Sequence, residues 1–197
     1  MTAPTAPVVA AAGRPRALPA HRVLGILGML SAPAFLFIWS PPAPTDLGAN
    51  LLMTAYLAGW ACSAVGLRRL RATGQGRGAL AILVIQMLGL ALAACQQPQD
   101  QLGRRPFGDA FYFASNIAWP LSHLFMLVVF AAVWRAGVWT GWRRWTPLAC
   151  GLALPLMFAA AAAKVPSPTA VFAVATAASF LALGLAVCTA RPSRAAR

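Results

Sequence analysis

Inside its long apolar stretches this chain carries few side chains able to bond, titrate or attack, and two of them stand out. His123 lies in the run 117–134 and Gln86 in the run 79–95. A strongly polar or ionisable group on a membrane-length apolar run is a functional candidate by default, because burying it in hydrocarbon is expensive. His123 stands about six residues from the Asp109 end of its run, roughly 9 Å at 1.5 Å per residue. Asn116, Trp119 and His123 recur at i, i+3 and i+7, which is one face of a helix. A helix begun earlier, with Asp109 as its N-cap, adds Tyr112 to that face. Pro120 leaves the carbonyl of Asn116 without its usual donor. Gln86 enters from the opposite end of its own run and reaches to within a turn or two of His123.

These residues predict a polar pocket of His123, Asn116, Tyr112 and Gln86, roofed by the 96–116 segment with Asp100 and Asp109. A histidine near acidic groups accepts and releases protons near neutral pH. That chemistry suits proton-coupled transport, or catalysis on a lipid or lipid-linked substrate. Plainer roles compete for the same residues. His123 bonded to Gln86 or to a backbone carbonyl would hold two helices together. Asp109 would be a helix cap, and Asp46 and Asp100 would be solvated loop acids.

Other chemistries are disfavoured. Haem held by two histidines needs a second one inside the helices, and His21 sits beside Arg22 in a basic tail. The chain has no glutamate and no carboxylate within an apolar run, which argues against membrane hydrolysis by paired acids. Ser122 is adjacent to His123 and so points about 100° away from it on a helix. The four cysteines do not cluster: Cys62, Cys150 and Cys188 lie toward one end of their runs and Cys95 is alone at the other. No metal is expected, and no cofactor. No phosphate-binding glycine loop, dinucleotide fingerprint or zinc-protease motif occurs.

The elements that must position these groups follow from composition. Of 197 residues, 60% are hydrophobic and only 10% charged, too few to cover a soluble globule. The apolar residues come in blocks without a polar face, and a soluble helix needs one. The chain is read as an all-α integral membrane protein, a bundle of six transmembrane helices at 23–39, 51–67, 79–95, 117–134, 146–163 and 170–190. Each run approaches the roughly 20 residues that span the hydrocarbon. Residues 1–22 read as a flexible basic tail and 191–197 as a second one. The first run reads as a retained helix rather than a cleaved leader. Asn50 is the expected N-cap of the second run. Thr146 is the expected cap of the fifth, with Pro147 in its first turn. Pro155 predicts a kink in that fifth helix.

Charge sets the orientation. Asp46, Asp100 and Asp109, the only acids, fall between runs one and two and between runs three and four. Of the 16 bases, only Arg104, Arg105 and Lys164 share that side. Basic loops stay in the cytoplasm, so both termini are expected there and the acids outside. A net charge of +13 would also fit nucleic acid. These bases, however, cap apolar runs in short clusters instead of forming one continuous face, so no nucleic-acid partner is expected. The stretch WRAGVWTGWRRW reads as a lipid anchor of Trp139, Trp142, Arg143, Arg144 and Trp145, with anionic headgroups as counter-ions. Arg-, Ala- and Pro-rich, Lys-poor usage points to a GC-rich bacterial gene, and hence to an inner (plasma) membrane.

Small residues at every fourth position, Ala178–Ala182–Ala186 and Gly59–Ser63, let helices approach closely in lipid. They favour a non-enzymatic protein that acts by helix packing, either as a homo-oligomer or with a membrane partner. The alternative is a small transporter or membrane enzyme using the His123 pocket.

Overall fold

A computed structural model describes residues 18–39, 46–102 and 109–191, with the side chain of Asp46 excepted. The tails before residue 18 and after 191, together with Arg104 and Arg105, lie outside the described residues. Helix forms along the apolar runs, and a helix pairs its own backbone groups, as a chain suited to hydrocarbon must. The helices are α1 (Ala20–Ser31), α2 (Ala34–Ile38), α3 (Asp46–Arg69), α4 (Arg77–Ala94), α5 (Gln96–Gln101), α6 (Ala110–Ala136), α7 (Thr146–Ala162) and α8 (Pro168–Thr189). A 3₁₀ turn, Gly141–Trp145, precedes α7. Among the described residues there is no strand. Among the described residues, six helical stretches are long and apolar enough to cross a membrane, with α1 and α2 counting as one.

The helices run longer than the apolar runs, because polar residues extend them at both ends. α1 starts at Ala20, so His21, expected in a flexible tail, is instead buried in the first helical turn. The chain turns at Ala32 and Pro33, where the proline cannot donate to the preceding turn. α3 begins at Asp46, which places Asn50 inside the helix and not at its cap. Thr146 is likewise the first residue of α7, because the 3₁₀ turn runs directly into it and Trp145 occupies the cap position. α6 begins at Ala110, seven residues before the apolar run, with Asp109 as its N-cap. The Asp109 carboxylate accepts from the amides of Phe111 at 2.8 Å and Tyr112 at 3.3 Å. α6 and α7 continue as helix through Pro120 and Pro155. The 96–116 segment, expected as a loop, is therefore mostly helical, and α5 closes one end of the bundle.

Contacts place the helices in a closed ring. α3 touches α4 and α1, α1 touches α8, α8 touches α7, α7 touches α6, and α6 returns to α4. α8 is the most enclosed, with 56% of its apolar window buried, whereas only 22% of the α4 window is. Close approaches are made by small residues. Side chains added at Gly25 and Gly184 would strike backbone of the facing helix, α8 or α1. Gly28 meets Ser63, and Gly59 meets Ser31, across α1 and α3. The pair Gly59 and Ser63 thus packs within the chain. On α8, Ala186 is buried and Ala178 exposed. Hydroxyls inside the helices bond their own backbone: Ser31 to Gly28, Ser115 to Tyr112 and Ser179 to Thr176.

Candidate functional site

His123 is fully buried and equally far from Ala110 and Ala136, roughly 20 Å along the axis from either end. It is thus central in the bundle, deeper than its place in the apolar run implied, because α6 starts earlier. Its Nε2 lies 3.3 Å from the hydroxyl of Tyr56, and its Nδ1 lies 3.5 Å from the carbonyl of Cys150. Four aromatic rings pack around it: Trp60 at 4.8 Å between centroids, Trp119 at 5.1 Å, Phe180 at 5.5 Å and Phe172 at 5.7 Å. Phe35 extends the cluster, 4.9 Å from Tyr56 and 5.4 Å from Phe172. Side chains from α3, α6 and α8 thus meet on one imidazole, with α7 supplying a carbonyl and Phe35 of α2 packing behind the surrounding rings.

Gln86 is not its partner. The amide is 2% exposed, and among the described residues neither its oxygen nor its nitrogen has a hydrogen-bond partner. It lines a small cavity of about 20 Å³ with Trp60, whose Nε1 is also unpartnered. That volume holds about one water.

The remaining expected residues gather at the acidic end. A cavity of about 310 Å³ opens there between α3, α4, α5 and α6. It is lined by Asp100 and Asn116 together with Asn50, Gln96, Gln97, Trp39 and Trp119. Tyr112 donates its hydroxyl to Asp100 at 2.6 Å. α5 is tied down on two sides: Asn50 donates to the carbonyl of Gln97 at 3.5 Å, and Gln99 donates to Ser115 at 3.0 Å. Trp119 lines the cavity and also stacks edgewise on His123, so it forms a floor between them.

The structure therefore divides the expected pocket in three. Asp100, Asn116 and Tyr112 come together at the cavity. His123 is sealed beneath it, and Gln86 faces a separate small space. Asp109 is occupied as a helix cap. Tyr56 and Trp60 were not among the residues expected from sequence, although their i, i+4 spacing puts them on one face of α3. Nor were Asn50, Gln96, Gln97 and Trp39 expected at the site. The glutamine-rich QQPQDQ segment was the legible signal for part of this set, once read as helix instead of loop.

At the basic end, the residues expected as an anchor lie on and beside the 3₁₀ turn. The Arg144 guanidinium lies 4.2 Å from the Trp134 ring and 5.4 Å from the Trp145 ring. Trp142 and Trp145 are exposed, whereas Trp139 is 5% exposed. Among the described residues, no group of three or more His, Cys, Asp or Glu side chains could hold a metal ion.

No family model matches the chain, and neither does a curated protein or a solved structure.

Proposed function

We propose that the chain is a non-enzymatic, multi-pass protein of a bacterial inner membrane that binds a small organic ammonium in the acidic-end cavity. One observation carries this reading. In a chain with very few polar groups, a carboxylate, four amides and two indoles converge on one 310 Å³ space. Ligand pockets commonly fall in the range of about 300–1,000 Å³. Among the described residues of that lining, Asp100 carries the one formal charge, and it is negative. Indole faces attract cations through their quadrupole, and quaternary ammonium groups are recognised this way. The amides supply orientation.

The orientation in this reading puts both termini and the basic end in the cytoplasm, with the cavity opening outside. Its support is the charge pattern and the six apolar helices. The buried, ring-enclosed setting of His123 favours a structural role for it over proton relay or catalysis. Packing with a second membrane protein keeps one specific support, the outward-facing Ala178 on α8. Binding of choline to the purified chain tests the main reading. Asp100→Asn should weaken it about tenfold, because the charge is removed while an oxygen able to accept from Tyr112 is kept.

A further inference from the structure

At the opposite end of the bundle, a recess of about 400 Å³ lies between the 3₁₀ turn and the end of α8. Trp139, Thr140, Arg143, Thr189 and Arg191 line it, with Val138 beside them. Arg143 is held in place. Its Nη2 donates to both the carbonyl and the hydroxyl of Thr189, each at 3.3 Å. Thr189 in turn donates its hydroxyl to the Leu185 carbonyl at 2.7 Å. Both Arg143 bonds use one nitrogen of the guanidinium, so the charge is fixed at the recess with donors to spare. Arg191 brings a second positive charge to the same space.

Among the described residues, no carboxylate balances these charges. Asp100 and Asp109 are at the far end, and Asp46 begins α3 there. Arg144 is engaged by tryptophan rings instead of facing the recess. The surrounding tryptophans mark the level of a membrane interface, where such rings concentrate.

We propose that this recess binds the phosphate of an anionic lipid headgroup. A guanidinium fork matches two phosphate oxygens, and basic pockets between helices on the cytoplasmic side take such headgroups. Inorganic phosphate offers the same oxygens. The wall of Val138 and Trp139 at interface depth favours the lipid. The site is separate from the acidic-end cavity and stands whether or not that cavity takes an ammonium.

The test is thermal unfolding of the full chain in detergent, titrated in separate arms with phosphatidylglycerol, phosphatidylcholine and inorganic phosphate. Phosphatidylglycerol should stabilise most. A basic residue near an anionic surface contributes about 1 kcal/mol, which is about fivefold in affinity. Arg143→Gln and Arg191→Gln should each weaken phosphatidylglycerol by about that factor, and the pair by about thirtyfold. Arg135→Gln, at the end of α6 and outside the recess, should leave the affinity unchanged. If Arg143→Gln fails to fold, Arg191→Gln carries the test, since it removes no hydrogen bond among the described residues. Equal stabilisation by phosphatidylcholine, equal stabilisation by inorganic phosphate, or an Arg135→Gln loss as large as that of Arg191→Gln would each overturn the assignment.

Discussion

The Nε2 of His123 and the hydroxyl of Tyr56 lie 3.3 Å apart at the centre of the bundle, both on fully or almost fully buried side chains. With Cys150 taking the other ring nitrogen through its carbonyl, the imidazole links α3, α6 and α7 at one point. Rings from α3, α6 and α8 close around it. His123 is therefore satisfied by protein and screened by Trp119 from the cavity above.

Tyr56→Phe should lower the free energy of unfolding by about 0.5–1.5 kcal/mol, the net worth of a hydrogen bond, and leave choline binding intact. Denaturant unfolding in detergent measures the first, and calorimetry the second. Lost binding at unchanged stability would instead give the pair a role in the site.

Gln86 supplies the opposite case. Its amide is buried, with neither polar atom bonded among the described residues. Gln86→Leu should therefore be neutral or stabilising, by up to about 1 kcal/mol, because a desolvated amide is removed. A loss of several kcal/mol in the same unfolding assay would mean that the amide has a partner, such as a tightly held water.

Two glycines should respond in opposite directions to the same substitution. Gly25→Ala forces a methyl against the backbone of Gly184 and Cys188, and should cost about 1–3 kcal/mol. Gly78→Ala meets nothing within 4 Å and lies in α4. It should stabilise by up to about 1 kcal/mol through helix propensity. Comparable melting temperatures for the two variants would contradict the α1–α8 packing.

The all-helical class and six membrane-length helices were legible because apolar blocks without a polar face leave hydrocarbon as their solvent. Helix ends were less so. Asp46, Asp109 and the QQPQDQ segment are polar, and hydropathy alone cannot tell a polar helical turn from a loop. That error shifted His123 outward by about a helical turn or more, and so placed it in a pocket it does not join. The Asp109 cap and the face shared by Asn116 and Trp119 were readable from spacing along one helix. The convergence of Tyr56, Trp60, Phe172 and Phe180 on His123 was not, because it depends on which helices are neighbours in the ring.

Orientation has a direct probe in the cysteines. Cys95 is exposed at the acidic end, Cys150 is buried, and Cys62 and Cys188 are partly buried within apolar helices. A membrane-impermeant maleimide added to intact cells should label Cys95 and lose its target in Cys95→Ser. A reporter fused near Gly76 should read as cytoplasmic. Labelling of Cys95 only after lysis, with the Gly76 reporter outside, would invert the topology.

Ligand binding in the acidic-end cavity is measured by calorimetric titration of the purified full chain with choline. Saturable binding is predicted, about tenfold weaker in Asp100→Asn and weakened in Trp39→Ala, with glucose and acetate giving no comparable heat. Absence of saturable binding, or an affinity unchanged by Asp100→Asn in a folded variant, would contradict it.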